Sequence, residues 1–459
     1  TGDSADSISI TGSVTNTFVQ GNAGADTINV GTNLTNNSSL RGGKDGDSIS
    51  VAAGTFGDSW ISGDRGSDTL NVAGYALIGS VYGGSKTDTT GDAADSIRFT
   101  AGAAQTFVQG NAGADTLSFA GGVTQSTAYG GAGADLISSA TAITQSFVRG
   151  DKGNDTLVIG DVTGTTQIRD ASIFGGGSAT DTASGDDSLA IKAGLSQASV
   201  YGASGADTLY ITGTATSTNG AILGGTGDDS FAINQMSGGS IFGGASAGDT
   251  ASGNDTINFT GDVTGVSVYA GSVRTDFANS SGTEFRTSTL TASAEADRLA
   301  FTGTVTSSKI LMGAGKDTIE IVGAVGGSTI AGSAGTSEVN YFSFGGGAVT
   351  STSLRGGSGN DSFTFGSLVS SGGSTSLGIF YDGGADSFTF LAGKANASAS
   401  GATVTVYYDS TTFTSLSTSA TSNTLSLTNG GVNTTFNSFN TNATVVLSGL
   451  TSSAIDAVF

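Results

Sequence analysis

A single motif returns at a nearly constant interval and limits what this chain can fold into. It reads Gly-x-x-Gly-x-Asp-Ser/Thr followed by an apolar-x-apolar triplet, so that residues 21–30 recur as residues 110–119. A repeat of about 20 residues is typical of solenoids, in which each unit packs only against its neighbours. The 76 Gly among 459 residues disfavour helical repeats. The motif aspartates are Asp6, Asp26, Asp47, Asp68, Asp95, Asp115, Asp135, Asp155, Asp187, Asp207, Asp229, Asp255, Asp297, Asp317, Asp361 and Asp386, and Asn340 holds the same place in a further copy.

Apolar residues recur at fixed distances from each motif aspartate. A pair follows two and four residues later, as in Leu117 and Phe119, and another apolar residue lies seven residues earlier, as in Val108. A spacing of two puts both members of the pair on one face of a strand. The pattern predicts an all-β, right-handed parallel β-solenoid with about 20 residues and two strands per coil. An antiparallel sandwich is the alternative, but it has no reason to keep Asp and Gly in a fixed phase.

The repeat divides the chain into four predicted regions. Residues 1–271 form solenoid coils, 272–296 an insertion loop, 297–392 further coils, and 393–459 a β-rich C-terminal cap for assembly and secretion. The insertion carries Arg274, Arg286 and Phe277, which suit either a contact surface or a folded-back loop. Shorter inserts at 85–92, 178–186 and 246–253 share Ser, Thr and Asp, and form either additional ion sites or solvated loops.

Composition argues against several classes of function. The formal net charge of −22 disfavours nucleic acid and anionic membranes as partners, because both attract basic surfaces. The chain has no His and no Cys, which excludes Ser-His-Asp triads and the usual zinc sites. No apolar run is long enough to span a bilayer, so membrane insertion is not expected. We expect a protein that is not an enzyme, because its carboxylates recur with the repeat instead of clustering with basic residues.

The motif aspartates are the candidate metal ligands. In an in-register solenoid, residues of equal phase stack about 4.8 Å apart, so unscreened carboxylates would repel one another. Calcium accepts carboxylate and backbone oxygens in irregular geometry and would relieve this repulsion. Aspartates that cap turns by accepting backbone amides are the alternative. The predicted calcium ligands are Asp26, Asp47, Asp68, Asp95, Asp115, Asp135, Asp155, Asp187, Asp207, Asp229, Asp255, Asp317, Asp361 and Asp386.

Residues 42–49, 225–231 and 356–363 resemble the nonapeptide of calcium-binding RTX proteins, and similar copies cover most of residues 1–390. RTX coils carry two nonapeptides, whereas here the opposite turn is rich in Thr, Gly and Ser. The resemblance therefore implies calcium along one edge only, with the other edge closed by hydrogen-bonded Ser, Thr and Asn. The last four residues, 456–459, look like the end of many RTX substrates of type I secretion.

The resemblance to RTX-like surface-layer proteins implies an extracellular structural protein. It would assemble with itself at the cell surface into a layer or fibre, with calcium along the solenoid. The alternative is a secreted adhesin or glycan-binding protein, with cell-surface polysaccharide as partner. The residues for that function would be the outward aromatics Phe18, Trp60, Tyr82, Phe107, Tyr129, Phe147, Tyr201 and Phe242.

Overall fold

The computed structural model describes residues 4–85, 90–161, 167–177, 184–215, 220–244, 253–270, 296–332, 338–357, 359–366, 376–381 and 384–390, and the C-terminal strands 403–409, 417–421, 424–429, 432–437 and 444–450. Within these ranges there are strands and turns and no helix. Strands pair in parallel with the equivalent strands of the next repeat, about 21 residues away. The predicted all-β fold and parallel β-solenoid are confirmed. The right hand of the solenoid stays a prediction.

The chain divides into two compact units, residues 1–222 and 223–459, and each is described by itself. The division falls inside strand β27 (Ala221–Thr226), so it coincides with none of the predicted boundaries, which stay predictions. Residues 272–295 of the predicted insertion lie outside the described residues. The strands of the first unit are β1 Ser7–Ile10, β2 Val14–Thr15, β3 Phe18–Ala23, β4 Thr27–Val30, β5 Leu34–Thr35, β6 Ser39–Lys44, β7 Ser48–Val51, β8 Thr55–Arg65, β9 Thr69–Val72, β10 Tyr75–Gly84, β11 Ser96–Phe99, β12 Ala103–Ala104, β13 Phe107–Ala112, β14 Thr116–Phe119, β15 Val123–Thr124, β16 Thr127–Ala132, β17 Leu136–Ser139, β18 Ile143–Thr144, β19 Phe147–Lys152, β20 Thr156–Ile159, β21 Gln167–Arg169, β22 Ser172–Gly176, β23 Ser188–Ile191, β24 Gly194–Ser196, β25 Ser199–Ser204 and β26 Thr208–Ala215.

A regular coil has three strands where two were predicted. In the coil of β13, β14 and β15, Val108 pairs with Ala128 of the next coil and Leu117 with Ile137. The two-residue strand β15 supplies the third wall, and its Val123 pairs with Ile143. Val123 is buried because it closes the core between the two longer strands. The expectation of two strands per coil is therefore wrong in this detail.

The core consists of inward residues stacked from coil to coil. Phe99 lies above Phe119 with ring planes 7° apart and centroids 5.2 Å apart. In the second unit Phe342 and Phe363 stack in the same way at 4.4 Å. Parallel in-register strands bring identical positions together, so equal side chains pack face to face.

The second unit repeats this arrangement and then changes it. In the C-terminal part, β45 and β49 continue the parallel pairing from β43, and β48 pairs in parallel with β44. Strands β46, β47 and β48 pair with one another in antiparallel. The predicted β-rich character of this region is confirmed, whereas its role as a cap stays a prediction. The strands are β28 Ser230–Ser237, β29 Ser240–Gly244, β30 Thr256–Phe259, β31 Val263–Thr264, β32 Ser267–Tyr269, β33 Arg298–Phe301, β34 Val305–Thr306, β35 Lys309–Leu311, β36 Thr318–Ile321, β37 Val325–Gly326, β38 Thr329–Ala331, β39 Tyr341–Phe344, β40 Val349–Thr350, β41 Thr352–Arg355, β42 Ser362–Phe365, β43 Ser376–Tyr381, β44 Ser387–Phe390, β45 Thr403–Asp409, β46 Ser417–Thr421, β47 Thr424–Asn429, β48 Val432–Asn437 and β49 Thr444–Leu450.

Candidate functional site: the buried aspartate column

The motif aspartates point into the solenoid. Asp135 is 2% exposed and Asp115 is 1% exposed, as buried as the apolar residues that follow them. The alternation of a strand explains this direction, since Asp115 lies two residues before the inward Leu117 and therefore on the same face. All fourteen predicted ligand positions are buried and hold one place in the coil. We call them, with Asp6, Asp297 and Asn340, the aspartate column.

Within each unit, a side-chain oxygen of one column member accepts the backbone amide N–H of the member before it. The amide N–H of Asp115 donates to Oδ1 of Asp135 at 2.7 Å, and that of Asp135 donates to Oδ1 of Asp155 at 2.8 Å. The same bond recurs in the first unit from Asp6 to Asp207 and in the second from Asp229 to Asp386. These residues thus cap backbone amides, which was the alternative interpretation of the motif.

The second carboxylate oxygen, Oδ2, faces glycine backbone. A Cβ on Gly130 would collide with Oδ2 of Asp135 and would lie 2.6 Å from the carbonyl oxygen of Gly150 in the next coil. Glycine is required here because the carboxylate occupies the space of a side chain. Among the described residues no donor reaches this buried oxygen in Asp26, Asp47, Asp68, Asp95, Asp115, Asp135, Asp155 or Asp317.

Asn340 shows what the same position does with a neutral side chain. Its Oδ1 accepts the amide N–H of Asp317 at 3.1 Å, as a column aspartate would. Its Nδ2 donates to the carbonyl oxygen of Gly356 in the next coil at 3.0 Å. A Cβ on Gly332 would lie 2.7 Å from this Nδ2 and 2.5 Å from the Gly356 oxygen, so Nδ2 occupies the place that Oδ2 of Asp135 has against Gly130.

Burial changes the acidity of the column. Burial raises the pKa of Asp95 to about 9; the amide of Asp68 opposes the shift, and the carboxylates of Asp68, Asp115 and Asp92 add to it. Burial likewise raises the pKa of Asp135 to about 7, against the amide of Asp115 and with the charges of Asp155 and Asp151. A buried carboxyl without a counterion favours its neutral form.

The column fits calcium poorly. Calcium takes six to eight oxygens. In Asp47, Asp68, Asp95, Asp115, Asp135 and Asp155, Oδ1 is already bonded to an amide and no donor among the described residues reaches Oδ2, so each of these carboxylates has one oxygen left for a metal ion. No group of three or more acidic side chains converges in a metal-binding arrangement among the described residues. Calcium binding at these aspartates therefore stays a prediction. At Asn340 the glycine carbonyl of the next coil accepts a hydrogen bond from the side-chain amide, and no metal ion is needed there.

A second hydrogen-bonded column closes the opposite edge, as the sequence predicted. Oγ of Ser126 accepts the amide N–H of Thr106 at 3.1 Å and donates to the carbonyl of Thr124 at 2.9 Å. Ser146 repeats both bonds in the next coil. In the second unit Ser308 and Ser328 do the same. Each hydroxyl therefore accepts an amide of the preceding coil and donates to a carbonyl of its own coil.

The outward aromatics of the first unit form a continuous row with centroid distances between 4.3 and 6.0 Å; its members are Tyr82, Phe107, Tyr129, Phe147, Phe174 and Tyr201. Tyr129 meets Phe107 and Phe147 edge to face, with ring planes 90° and 86° apart. Phe174 and Tyr201 are stacked within 6° of parallel, and the guanidinium of Arg149 lies 4.1 Å over the ring of Tyr129. The row therefore links neighbouring coils on the outside of the sheet, and glycan binding by these aromatics stays a prediction.

Sequence reasoning missed an ion pair beside the column. Arg41 donates from Nε and Nη2 to both oxygens of Asp64 at 2.7 and 2.9 Å, and Ser62 donates to the same carboxylate. The strand register could have predicted the Arg41–Asp64 pair, since it places Arg41 opposite Ser62, two residues from Asp64.

A further buried carboxylate lies at the described end of the first insert. Asp92 accepts the amide N–H of Ala112 at 3.0 Å, and burial raises its pKa to about 6.

Comparison with protein-family models, with curated proteins and with solved structures gives no match. No helix able to cross a membrane occurs in the part of the chain that the structure describes. Residues 456–459, predicted as a secretion signal, and the centres of the three short inserts lie outside the described residues. The functional argument therefore depends on the geometry alone.

Proposed function

We propose that this chain is an extracellular structural protein that assembles with itself into a layer or fibre at the cell surface. One observation carries the proposal: every recurring polar column bonds one coil to the next. The aspartate and serine columns hold neighbouring coils in register by hydrogen bonds, and the aromatic row adds ring contacts between them. A fold that uses its polar residues for stacking is suited to building rather than to catalysis.

The contact between copies should lie where charge is low, because two chains of net charge −22 repel each other. One exposed patch in the first unit consists of uncharged, mainly apolar side chains. Tyr75, Leu77 and Ile78 are 49%, 40% and 53% exposed on strand β10. We call these three residues the apolar patch.

Ile78 makes the patch conspicuous. It adopts φ 55°, a left-handed conformation that is costly for a β-branched residue. The equivalent turn position holds Asp58 in the preceding coil and Gln105 in the next, both with φ near 50° and both exposed. An exposed isoleucine in a strained turn costs the single chain stability, which supports a compensating contact with a second copy.

The first test replaces Ile78 by a residue suited to the turn. We expect Ile78→Asn to raise the stability of the single chain by about 1 kcal/mol, because asparagine tolerates the left-handed region. We expect the same change to weaken assembly, seen as fewer ordered sheets or fibres by electron microscopy and lower light scattering.

Gln105→Asn is the matched control, since it changes the same turn position of the next coil without removing apolar surface. It should leave assembly unchanged. Assembly that is as strong in Ile78→Asn as in the parent chain would remove the apolar patch from the proposal. A chain that remains a single copy at every concentration and salt tested would contradict self-assembly itself.

A further inference from the structure

We propose that six buried aspartates of the first unit are neutral carboxylic acids, each of which donates a hydrogen bond from Oδ2 to the glycine carbonyl of the following coil; they are Asp47, Asp68, Asp95, Asp115, Asp135 and Asp155. The inference concerns the bonding between coils and holds whether or not the chain assembles with itself. It also gives the Oδ2 position a partner other than the calcium predicted from the motif.

The first argument is that equivalent groups in this protein both accept and donate. Ser126 accepts an amide of the preceding coil and donates to a carbonyl. Asn340, which lies in the column itself, accepts the amide of Asp317 and donates to the carbonyl of Gly356. An ionised aspartate can only accept, whereas a protonated one matches asparagine in both roles.

The second argument is the surroundings of Oδ2 in a regular coil. Oδ2 of Asp135 and the carbonyl oxygen of Gly150 both lie next to the position where a Gly130 Cβ would be. The equivalent atoms at Gly332, Nδ2 of Asn340 and the carbonyl oxygen of Gly356, are 3.0 Å apart. An ionised carboxylate in that arrangement would bring two acceptors together in a buried site, which is unfavourable. A proton on Oδ2 converts the same contact into a hydrogen bond and leaves the Oδ1 bond to Asp115 intact.

The third argument is the charge around Asp135. Asp115 and Asp155 lie above and below it in the column, and Asp151 is the third nearby carboxylate. Of the cations on the adjoining strand β19, Arg149 binds Asp151 and the carbonyl of Gly177, and Lys152 is exposed. The groups facing Asp135 are thus mainly acidic, which favours its neutral form.

The direction of the pH effect follows from the raised pKa values. Asp47 has a pKa of about 6, Asp115 and Asp135 about 7, and Asp95 about 9, all above the usual aspartate value of 3.8. A raised pKa in the folded state contributes stability that is complete below about pH 4 and is lost as the pH rises through the folded value. The column is therefore expected to weaken between about pH 4 and pH 9.

The experiment compares Asp135→Asn and Asn340→Asp with the parent chain by urea unfolding at about pH 4 and pH 9, in chelator and in calcium. Asparagine keeps the donor at every pH. We expect Asp135→Asn to match the parent at the lower pH and to raise the folding equilibrium constant at least about tenfold at the higher pH. Asn340→Asp should show the opposite change at the higher pH. Asp170→Asn, an exposed left-handed turn position, is the control for loss of one charge and should show neither effect.

Infrared spectroscopy of the parent chain keeps the proposal testable if a variant fails to fold. The carbonyl band of protonated carboxylic acids should be present in the folded protein at pH 7 and vanish on unfolding at the same pH, because free aspartate is ionised there. Absence of the band in the folded protein would overturn the proposal. So would a calcium-dependent gain in stability that the parent shows and Asp135→Asn loses, since that result assigns Oδ2 to the metal.

Discussion

Aspartate and asparagine occupy the same position of the coil. They differ in the atom next to the glycine, because Nδ2 of asparagine always donates a hydrogen bond, whereas Oδ2 of aspartate donates only when it is protonated. Asp135 and Asn340 each accept a hydrogen bond from the backbone amide of the preceding coil. Of the two, Asn340 has an N–H that donates to the next glycine carbonyl at every pH. The fixed phase of the motif predicted that the aspartates would stack. The calcium interpretation considered their charge and spacing but not their direction. The alternation Asp-Ser/Thr-apolar contained that direction, because it places Asp115 and Leu117 on one face.

The buried serines give a residue-scale prediction. Ser126→Ala removes the acceptor for the amide of Thr106 and leaves that amide buried, so we expect a loss of about 1–3 kcal/mol in the free energy of unfolding. Urea unfolding measures it. Ser118→Ala, on an outward position of β14, should change stability by less than about 0.5 kcal/mol. Equal effects of the two changes would contradict the role given to the serine column.

At the scale of elements, the sequence predicted the two longer strands and missed the third. The longer strands carry an apolar pair or a constant apolar residue at a fixed distance from the motif aspartate. The strand β18 has two residues and only Ile143 points inward, so it shows no alternation to detect. The coil nevertheless needs it, because two walls alone would leave one side of the core open to water.

The third wall can be tested through Ile143, which is 1% exposed. Ile143→Ala should cost about 2–5 kcal/mol, because it removes apolar contacts with the strands of both neighbouring coils and leaves a cavity. Thr144→Ala, the outward neighbour on the same strand, should cost less than about 0.5 kcal/mol. Thermal and urea unfolding report both, and a small loss for Ile143→Ala would show that the third strand only bridges the other two.

For the whole molecule, charge and association are opposed. A net charge of −22 keeps copies apart by repulsion that salt screens, with a range of about 30 Å at 0.01 M and about 3 Å at 1 M. The net charge, and the repulsion between copies that follows from it, could be predicted from the composition. The apolar patch could not, because Ile78 lies at a turn position that holds polar residues in the neighbouring coils.

We therefore expect assembly to increase with the concentration of a monovalent salt. Light scattering and electron microscopy between about 0.01 M and 1 M should show it, with Ile78→Asn responding less than the parent chain. Assemblies that dissolve as salt rises would indicate contacts made by ion pairs and would contradict an apolar contact.

The hydrogen bonds of the aspartate column all point in one direction along the chain. Each aspartate N–H reaches forward to the carboxyl group of its successor, as Asp115 does to Asp135. A cut between any two coils of a unit therefore yields two unlike faces, one with an unmet amide and one with an unmet carboxyl group. The partner that completes the amide of each coil is therefore always the coil that follows it in the chain.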